Sequence, residues 1–247
     1  MANSKKNIMA LIKLTAFVDQ ISGKLNGTVF SRNRGGAYVR SKSKPSNPQS
    51  SAQMAVRAAF GAISQLWGKL SQEAREAWNA SVGNYPYINR LGDSKTLSGF
   101  ALHQKLNRNL QIIGEDLVDL PPSPASPISV ASLTATAEFN GTDEEWGMTL
   151  GGPYASEGAD TSTKFVVYAT PKLREGVGNF DNLLREIDVR SATVGDHLNL
   201  DVLDAYTAKF GVPEVGAKYG FKIVGISITS GQASVPMYAD VIASERA

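Results

Sequence analysis

Residues 120–127 read Leu-Pro-Pro-Ser-Pro-Ala-Ser-Pro and divide the sequence into two halves of different character. This stretch contains four of the eleven prolines in the chain. Proline fixes its own φ and lacks an amide hydrogen, so such a run excludes a helix or a central strand and favours extended polyproline geometry. The sequence therefore predicts a semi-rigid linker over residues 115–127, with a different structural class on each side of it.

On the N-terminal side of the linker, residues 50–114 show the 3.6-residue periodicity of amphipathic helices. The first helix is predicted to begin with Ser50 or Ser51 as its cap. Its apolar face is formed by Val56, Phe60, Ile63, Trp67 and Leu70. A helical unit this small needs large side chains to bury enough surface, so we predict Phe60, Trp67 and Trp78 as its core anchors.

Two further helices are predicted in the same unit. Ser71 is a suitable cap for a short helix that ends at Gly83. Ser98 is a suitable cap for a third helix that is closed by Gly114. The turn-rich residues between these two helices are expected to form a loop.

On the C-terminal side, residues 128–247 consist of short β-rich segments separated by Gly, Asp, Asn and Ser turns. The predicted strands are Ile128–Thr136, Trp146–Leu150, Lys164–Thr170, Leu184–Arg190, Lys218–Ile228 and Ser234–Ala243. This pattern predicts an immunoglobulin or fibronectin type III-like sandwich, without the immunoglobulin cysteine pair and with a short helix inserted at Val202–Phe210. The fold class expected for the whole chain is α+β in two parts.

Residues 1–49 are predicted to form an extended basic arm with a β-hairpin. A strand is expected at Leu14–Val18, and the hairpin pairs residues 28–31 with residues 37–40 through a glycine-containing turn. The predicted interaction residues of this arm are Lys24, Phe30, Arg32, Arg34, Tyr38, Arg40, Lys42 and Lys44. The alternation of apolar and basic side chains favours an added strand on a neighbouring protein, while phosphate neutralisation on nucleic acid stays open.

Charge is distributed unevenly between the two halves. Residues up to Gly114 include 16 Lys and Arg against 4 Asp and Glu, whereas the remaining residues include 9 against 19. A half with a net charge of +12 can attract the −10 half of another copy, which would build a repeated head-to-tail contact.

Catalytic chemistry finds no support in the sequence. The absence of cysteine excludes thiolate nucleophiles and Cys-based metal sites, and His103 and His197 are interpreted as surface or capping residues. Neither a GxGxxG nor a Walker sequence occurs, so we predict no catalytic residue, no cofactor and no metal site. No run of 18 apolar residues and no secretion signal is found, so no membrane partner is expected.

A pattern of spaced Gly, Arg, Pro and Trp residues over about residues 8–110 resembles structural proteins encoded in tailed-bacteriophage genomes. It is carried by residues 22–30, 34–40 and 45–48, followed by Gln53, Arg57, Phe60, Trp67, Leu70, Ser71, Arg75 and Trp78. The resemblance implies a non-enzymatic virion protein that is made in the host cytoplasm and contacts its own copies and capsid, connector or tail subunits. A head-associated, capsid-decorating role is favoured, and a tail or connector role comes next.

Two other functions remain open at this point. The basic residues 24–44 could bind nucleic acid, with affinity that falls steeply as salt rises. A receptor- or carbohydrate-binding attachment protein would instead use exposed sandwich tyrosines, and the candidates are Tyr154, Tyr168, Tyr206 and Tyr238. Strand alternation predicts that some of these tyrosines point inward.

Overall fold

The chain is mixed α and β, with β-structure predominating, and divides into two compact units, Met1–Met54 and Ala55–Ala247. The computed structural model describes residues 9–11, 21–33, 36–43, 47–88, 94–155, 162–192 and 197–246. The predicted strand at Leu14–Val18 and the predicted interaction residues Arg34 and Lys44 lie outside the described residues.

The first unit contains a four-stranded antiparallel sheet of order β1-β4-β3-β2. Its strands are β1 (Met9–Leu11), β2 (Gly23–Leu25), β3 (Thr28–Asn33) and β4 (Gly36–Ser41). The predicted hairpin is present, because β3 pairs with β4 from Thr28 opposite Ser41 to Asn33 opposite Gly36. Asn26 has a φ of 49°, which an Asn-Gly turn tolerates, and it leads β2 into β3.

Three helices follow, as the periodicity and caps predict. They are α1 (Ser51–Lys69), α2 (Gln72–Ser81) and α3 (Gly99–Ile112), with the two-residue strands β5 (Tyr87–Ile88) and β6 (Ser94–Lys95) between the last two helices. The hydroxyls of Ser71 and Ser98 accept from the amides of Ala74 and Ala101, each at 3.2 Å. These capping bonds satisfy amides that the first helical turn leaves without a partner.

Two four-stranded sheets form the remainder of the second unit. The elements are β7 (Thr134–Asn140), β8 (Glu145–Pro153), β9 (Thr163–Ala169), β10 (Arg185–Ser191), β11 (His197–Asp201), α4 (Leu203–Phe210), β12 (Lys218–Ser227), β13 (Met237–Ile242) and β14 (Ser244–Glu245). The sheet orders are β10-β9-β12-β13 and β11-β8-β7-β14. Every pairing in these sheets is antiparallel except that of β14 with β7.

These two sheets share one core. In the described part of the chain the core includes 19 buried apolar residues, among them Met148 and Leu150 of one sheet and Val167 and Phe221 of the other. Inward-facing residues alternate with outward-facing ones along each strand, so each sheet contributes one face to this core.

The helices are attached to the outer face of the β10-β9-β12-β13 sheet. Leu110 of α3 and Ile113, the residue that directly follows this helix, are buried against Val166 of β9 and Ile226 of β12. The turn after β12 closes on the same helix, since a Cβ added to Gly231 would lie 2.5 Å from the backbone oxygen of Leu106. Helix α3 is therefore an additional layer on this sheet.

The proline-rich segment is packed rather than free. The indole of Trp78 donates to the Asp119 carbonyl at 2.8 Å, and the Tyr85 hydroxyl donates to the Pro122 carbonyl at 2.6 Å. On the β side, the Ser230 hydroxyl donates to the Ala125 carbonyl at 2.9 Å. Extended backbone makes no internal hydrogen bonds, so its carbonyls can accept hydrogen bonds from the helical residues and from the β-sheet residues that pack against it. The boundaries drawn at residues 50–114, 115–127 and 128–247 stay predictions.

Some elements differ from the sequence-based expectation. Strand β11 was not predicted, because His197–Asp201 has few β-branched or aromatic residues. The first strand after the linker begins at Thr134 instead of Ile128. None of the helices in the described residues has the length and apolarity that crossing a bilayer demands.

Candidate interaction sites

One face of the N-terminal sheet carries basic residues. Lys24 lies opposite Val29, and Val29 lies opposite Arg40, so the three residues form one row across β2, β3 and β4. Ser31 and Tyr38 form the next row on this face. Cross-strand partners share a face of the sheet. We call Lys24, Val29, Ser31, Tyr38 and Arg40 the basic face.

The opposite face of the same sheet is more apolar. Phe30 lies opposite Val39, and Thr28 lies between Leu25 and Ser41. The side chain of Leu25 is 70% exposed. The only charged residue on this face in the described part of the sheet is Arg32, which lies opposite Ala37. We call these residues the Phe30 face.

The predicted interaction residues are thus divided between two faces. Lys24, Tyr38 and Arg40 lie on the basic face, whereas Phe30 and Arg32 lie on the Phe30 face. Lys42 follows β4, and its amide donates to the Gly27 carbonyl at 2.8 Å. The period of two along a strand separates residues that are close in sequence, and a basic composition alone cannot show this.

Little of this sheet is buried. Among its described residues whose side-chain burial is defined, only Val29 is buried, at 8% exposure. Lys24, Arg32, Arg40 and Lys42 are all exposed. Burying one valine contributes about 1.5–3 kcal/mol, whereas ordering each backbone residue costs about 1–2 kcal/mol. These described residues therefore offer the sheet little hydrophobic stabilisation.

The three predicted helical anchors have different environments. Trp78 is fully buried, and Trp67 is half-buried with its ring edge-on to Phe100 at 5.7 Å. Phe60 is 53% exposed, so its prediction as a core anchor is wrong. Ile63, one turn later, is the fully buried residue of α1. The contacts of α1 with α3 are made by Ser64, which accepts from Gln104, and by Trp67, and Phe60 precedes both of them.

Phe60 instead lines an apolar surface groove with residues of α3. The other lining residues are Phe100, Ala101, Gln104, Lys105, Arg108 and Asn109. An exposed pair of aromatic residues is a feature of protein-docking surfaces.

His103 occupies the centre of the helical core. Its ring is fully buried and lies edge-on to Trp67 at 5.3 Å and to Trp78 at 5.2 Å. Neither ring nitrogen has a hydrogen-bond partner in the described structure. Burial lowers the pKa of this histidine, and the negative charge of Asp119 opposes that effect. The interpretation of His103 as a surface or capping residue is wrong, because His103 lies on the same buried face of α3 as Leu106 and Leu110.

A second concave site lies at the β12–β13 edge of the C-terminal sheets. This pocket, which we call the Phe180 pocket, has a volume of about 390 Å³. It is lined by Gly178, Asn179, Phe180, Asp181, Tyr238 and Asp240. The sequence gives no signal for it, because its residues come from two distant segments that only the folded sheet brings together.

The walls of the Phe180 pocket are aromatic and acidic. The rings of Phe180 and Tyr238 are 6.3 Å apart at an interplanar angle of 66°. Burial raises the pKa of Tyr238, and a hydrogen bond to the Asp181 carboxylate raises it further. The Asp240 carboxylate forms an ion pair with Lys218 at 2.8 Å. Such a set of groups can bind a polar or cationic ligand.

No groups suited to metal binding are found in the described chain, where three or more His, Asp or Glu side chains nowhere cluster. No protein-family model matches the chain, and no curated protein sequence does. Among solved structures, the chain is similar to the crystal structure of a beta-1,2-glucanase from Parabacteroides distasonis, with 14% identity and a TM-score of 0.26. That match covers 50% of this chain and 14% of the glucanase, and it carries no argument about fold or activity.

Proposed function

We propose that this chain is a non-enzymatic structural protein of a tailed-phage particle. Its N-terminal sheet anchors it to neighbouring virion subunits, and its C-terminal sheets are presented by the particle. A head-associated, capsid-decorating position is favoured, and a tail or connector position is next. The observation that carries this proposal is the N-terminal sheet, which in its described residues buries only Val29.

A sheet with so little buried surface gains stability from a surface outside itself. Four strands are enough for a stable sheet only when one face packs against another element. The Phe30 face offers Phe30, Val39 and the exposed Leu25 for such packing. Binding to a neighbouring subunit would place a layer against this face, so assembly and folding of the arm would be coupled.

The edges of the sheet offer a second mode of attachment. In the described structure β2 is an edge strand that pairs only with β3. Its residues Gly23–Leu25 are all exposed. An exposed edge can accept a strand from a neighbour, with main-chain hydrogen bonds giving affinity and alternate side chains giving specificity.

For the presented part, we propose an immunoglobulin or fibronectin type III-like sandwich. The strand order supports this, since β7-β8-β11 and β9-β12-β13 correspond to strands A-B-E and C-F-G of that fold, with β10 beside C. Tyr219 at the start of β12 also accepts a hydrogen bond from the amide of Glu214 at 2.8 Å. A tyrosine at this corner that bonds to upstream backbone is a feature of such sandwiches.

Deletion of residues 1–48 tests the proposed anchor. We expect the truncated chain to be absent from purified particles while its C-terminal sheets unfold cooperatively at a temperature near that of the full chain. The matched point variants are Phe30→Asp, on the Phe30 face, and Ser41→Asp, on the same face in the Leu25–Thr28 row. Phe30→Asp should lose incorporation more strongly than Ser41→Asp. Wild-type incorporation of the deletion variant would overturn the proposal.

Copy number distinguishes the positions in the particle. Quantitative mass spectrometry of purified particles gives the ratio of this chain to the major capsid protein. A simple fraction of the capsid copy number supports a head-lattice position, and a few to a few tens of copies support a connector or tail position. Absence of the chain from particles would contradict the virion assignment altogether.

Nucleic-acid binding is the second candidate, and the basic face favours it. Lys24, Tyr38 and Arg40 share this face, which places two cations beside an aromatic ring. If this candidate holds, affinity for a single-stranded probe falls steeply with salt. The double variant Lys24→Ala, Arg40→Ala should then reduce the slope of log K against log salt by about 1.4. A slope that the double variant leaves unchanged would contradict it.

A further inference from the structure

We propose that the Phe180 pocket receives the side chain of Arg32 from a second copy of this chain. This inference rests on the proposed function, because it supplies one of the subunit contacts that an assembling protein needs. It assigns a ligand class, a guanidinium group, to a pocket that is otherwise without a role.

The pocket is shaped by a close approach between a ring and a strand. A Cβ added to Gly220 of β12 would lie 2.7 Å from the ring of Phe180, so this ring packs directly on the backbone of the strand. Tyr238 stands on the adjacent strand β13 and is 44% exposed. The two rings meet at a steep angle, with Phe180 buried at 7% exposure at the base of the pocket and Tyr238 as its exposed aromatic wall.

The chemistry of the lining favours a planar cation. Aromatic faces carry negative potential and attract guanidinium groups, which stack on them. Asp181 and Asp240 add two carboxylates to the same pocket. Each carboxylate has about four acceptor positions, so the bonds to Tyr238 and Lys218 leave further acceptors for a ligand. Arginine can stack on a ring and at the same time donate two parallel hydrogen bonds to a carboxylate, which lysine cannot do.

Charge complementarity points to a second copy as the source of this cation. The pocket belongs to the half of the chain with a net charge of −10, and the hairpin belongs to the half with +12. No acidic residue occurs from Lys24 to Lys44. A contact between hairpin and pocket joins two different surfaces, so it repeats head to tail.

Arg32 is the described cation that is best placed to enter a pocket. Strand β2 pairs with residues 28–30 of β3, and β1 pairs with residues 38–40 of β4. In the described part of the hairpin, residues 31–33 and 36–37 therefore extend beyond both edge strands as a two-stranded ribbon. Arg32 is exposed on this ribbon opposite the small Ala37, whereas Arg40 lies between two neighbouring strands.

Reciprocal charge changes in the full-length chain test the contact. Sedimentation velocity over a range of concentrations should show self-association of the wild type that Arg32→Asp and Asp181→Arg each weaken at least tenfold. Arg40→Asp is the matched control with the same charge change, and it should shift the association constant less than threefold. Combining Arg32→Asp with Asp181→Arg in one chain should restore association.

A mixture of the two single variants tests the head-to-tail geometry. In the mixture, Arg32 of the Asp181→Arg chain can enter the intact pocket of the Arg32→Asp chain, and the remaining hairpin and pocket form the charge-swapped contact of the double variant. The mixture should therefore associate with the two variants in alternating order, while each variant alone associates at least tenfold more weakly than the wild type. Tyr238→Ala should weaken association without a charge change, and thermal unfolding checks that each variant is folded. Arginine amide should compete with the contact, while citrulline amide, which has an uncharged side chain of similar shape, should not.

Several results would overturn this inference. A wild type that stays monomeric, an Arg40→Asp effect equal to that of Arg32→Asp, or a double variant that fails to associate each contradicts it. Competition by a neutral oligosaccharide instead of arginine amide assigns the pocket to glycan binding and also overturns it. Because particle incorporation is measured separately, a monomeric chain that still enters particles leaves the proposed function standing.

Discussion

The N-terminal sheet and the two C-terminal sheets have the same number of strands but different surroundings. Each is four-stranded, yet the C-terminal pair shares a core of 19 described buried residues, while the described N-terminal sheet buries only Val29. Strand propensity and turn signals are similar in both. The comparison teaches that a second layer, rather than strand content, gives a sheet most of its buried apolar surface.

The largest expected effect comes from matched phenylalanine truncations in the two regions. Phe221 of β12 is fully buried in the shared core, whereas Phe30 of β3 is only half-buried. Phe221→Ala should lower the free energy of unfolding by about 3–5 kcal/mol. Phe30→Ala should lower it by less than about 1 kcal/mol, because little area is lost. Urea denaturation of both variants measures the two losses of unfolding free energy. Equal losses would contradict the difference in burial between the two regions.

A pair of glycines tests whether α3 acts as a layer on the C-terminal sheet. Gly231 and Gly176 both have positive φ, at 67° and 81°. An added Cβ meets no atom within 4 Å at Gly176, but it meets the Leu106 carbonyl at Gly231. Gly176→Ala should cost about 1–2 kcal/mol of backbone strain.

Gly231→Ala carries the same strain and must also displace α3, so it should lower the free energy of unfolding by at least about 1 kcal/mol more. Denaturant unfolding of the two variants gives the difference. If Gly176→Ala is as costly as Gly231→Ala, the helix is not held by this close approach.

The helical core should respond to pH through His103. Its pKa is lowered by burial, so the unfolded chain binds a proton first as the pH falls below about 6.5. The stability contributed by neutral His103 is therefore present above this pH and is lost as the pH falls toward the folded-state pKa. His103→Phe should flatten the pH dependence of thermal unfolding between pH 7 and 5, because phenylalanine does not titrate. An unchanged pH dependence in this variant would contradict the prediction.

The smallest effect is expected at the exposed end of α1. Phe60 is 53% exposed, so Phe60→Ser should change the free energy of unfolding by less than about 1 kcal/mol. Ile63→Ala, one turn away at a fully buried position, should cost about 2–5 kcal/mol. Thermal and urea unfolding measure both. A large loss at Phe60 would show that the groove it lines is part of the helical core.

Local signals in the sequence located most of the helices and the hairpin. Serine caps at Ser71 and Ser98 and the glycine at residue 114 act on their own backbone, so they depend only on nearby residues. The Asn-Gly turn at residues 26–27 acts in the same way. Strand β11 was missed because its pairing with β8, not its composition, makes it a strand.

The candidate sites depend on contacts between residues that are far apart in the sequence. The residues of the basic arm were found from composition, but the register of β3 with β4 divides them between two faces. Of the four tyrosines considered for ligand binding, Tyr154 and Tyr206 are buried. Tyr168 and Tyr238 both lie opposite Lys222, in one row on the outer face. No feature of the neighbouring sequence distinguishes the two buried tyrosines from the two on the outer face.

The sequence by itself determined the α+β class, the basic arm, the charge division and the positions of caps and turns. These features follow from the residue types and from spacing within a few residues. Only the tertiary structure decided that α3 packs on a sheet, that His103 is buried between two tryptophans and that Phe180 and Tyr238 form a pocket. Such contacts join segments far apart in the chain, and their free energy comes from surfaces that exist only after the strands have paired.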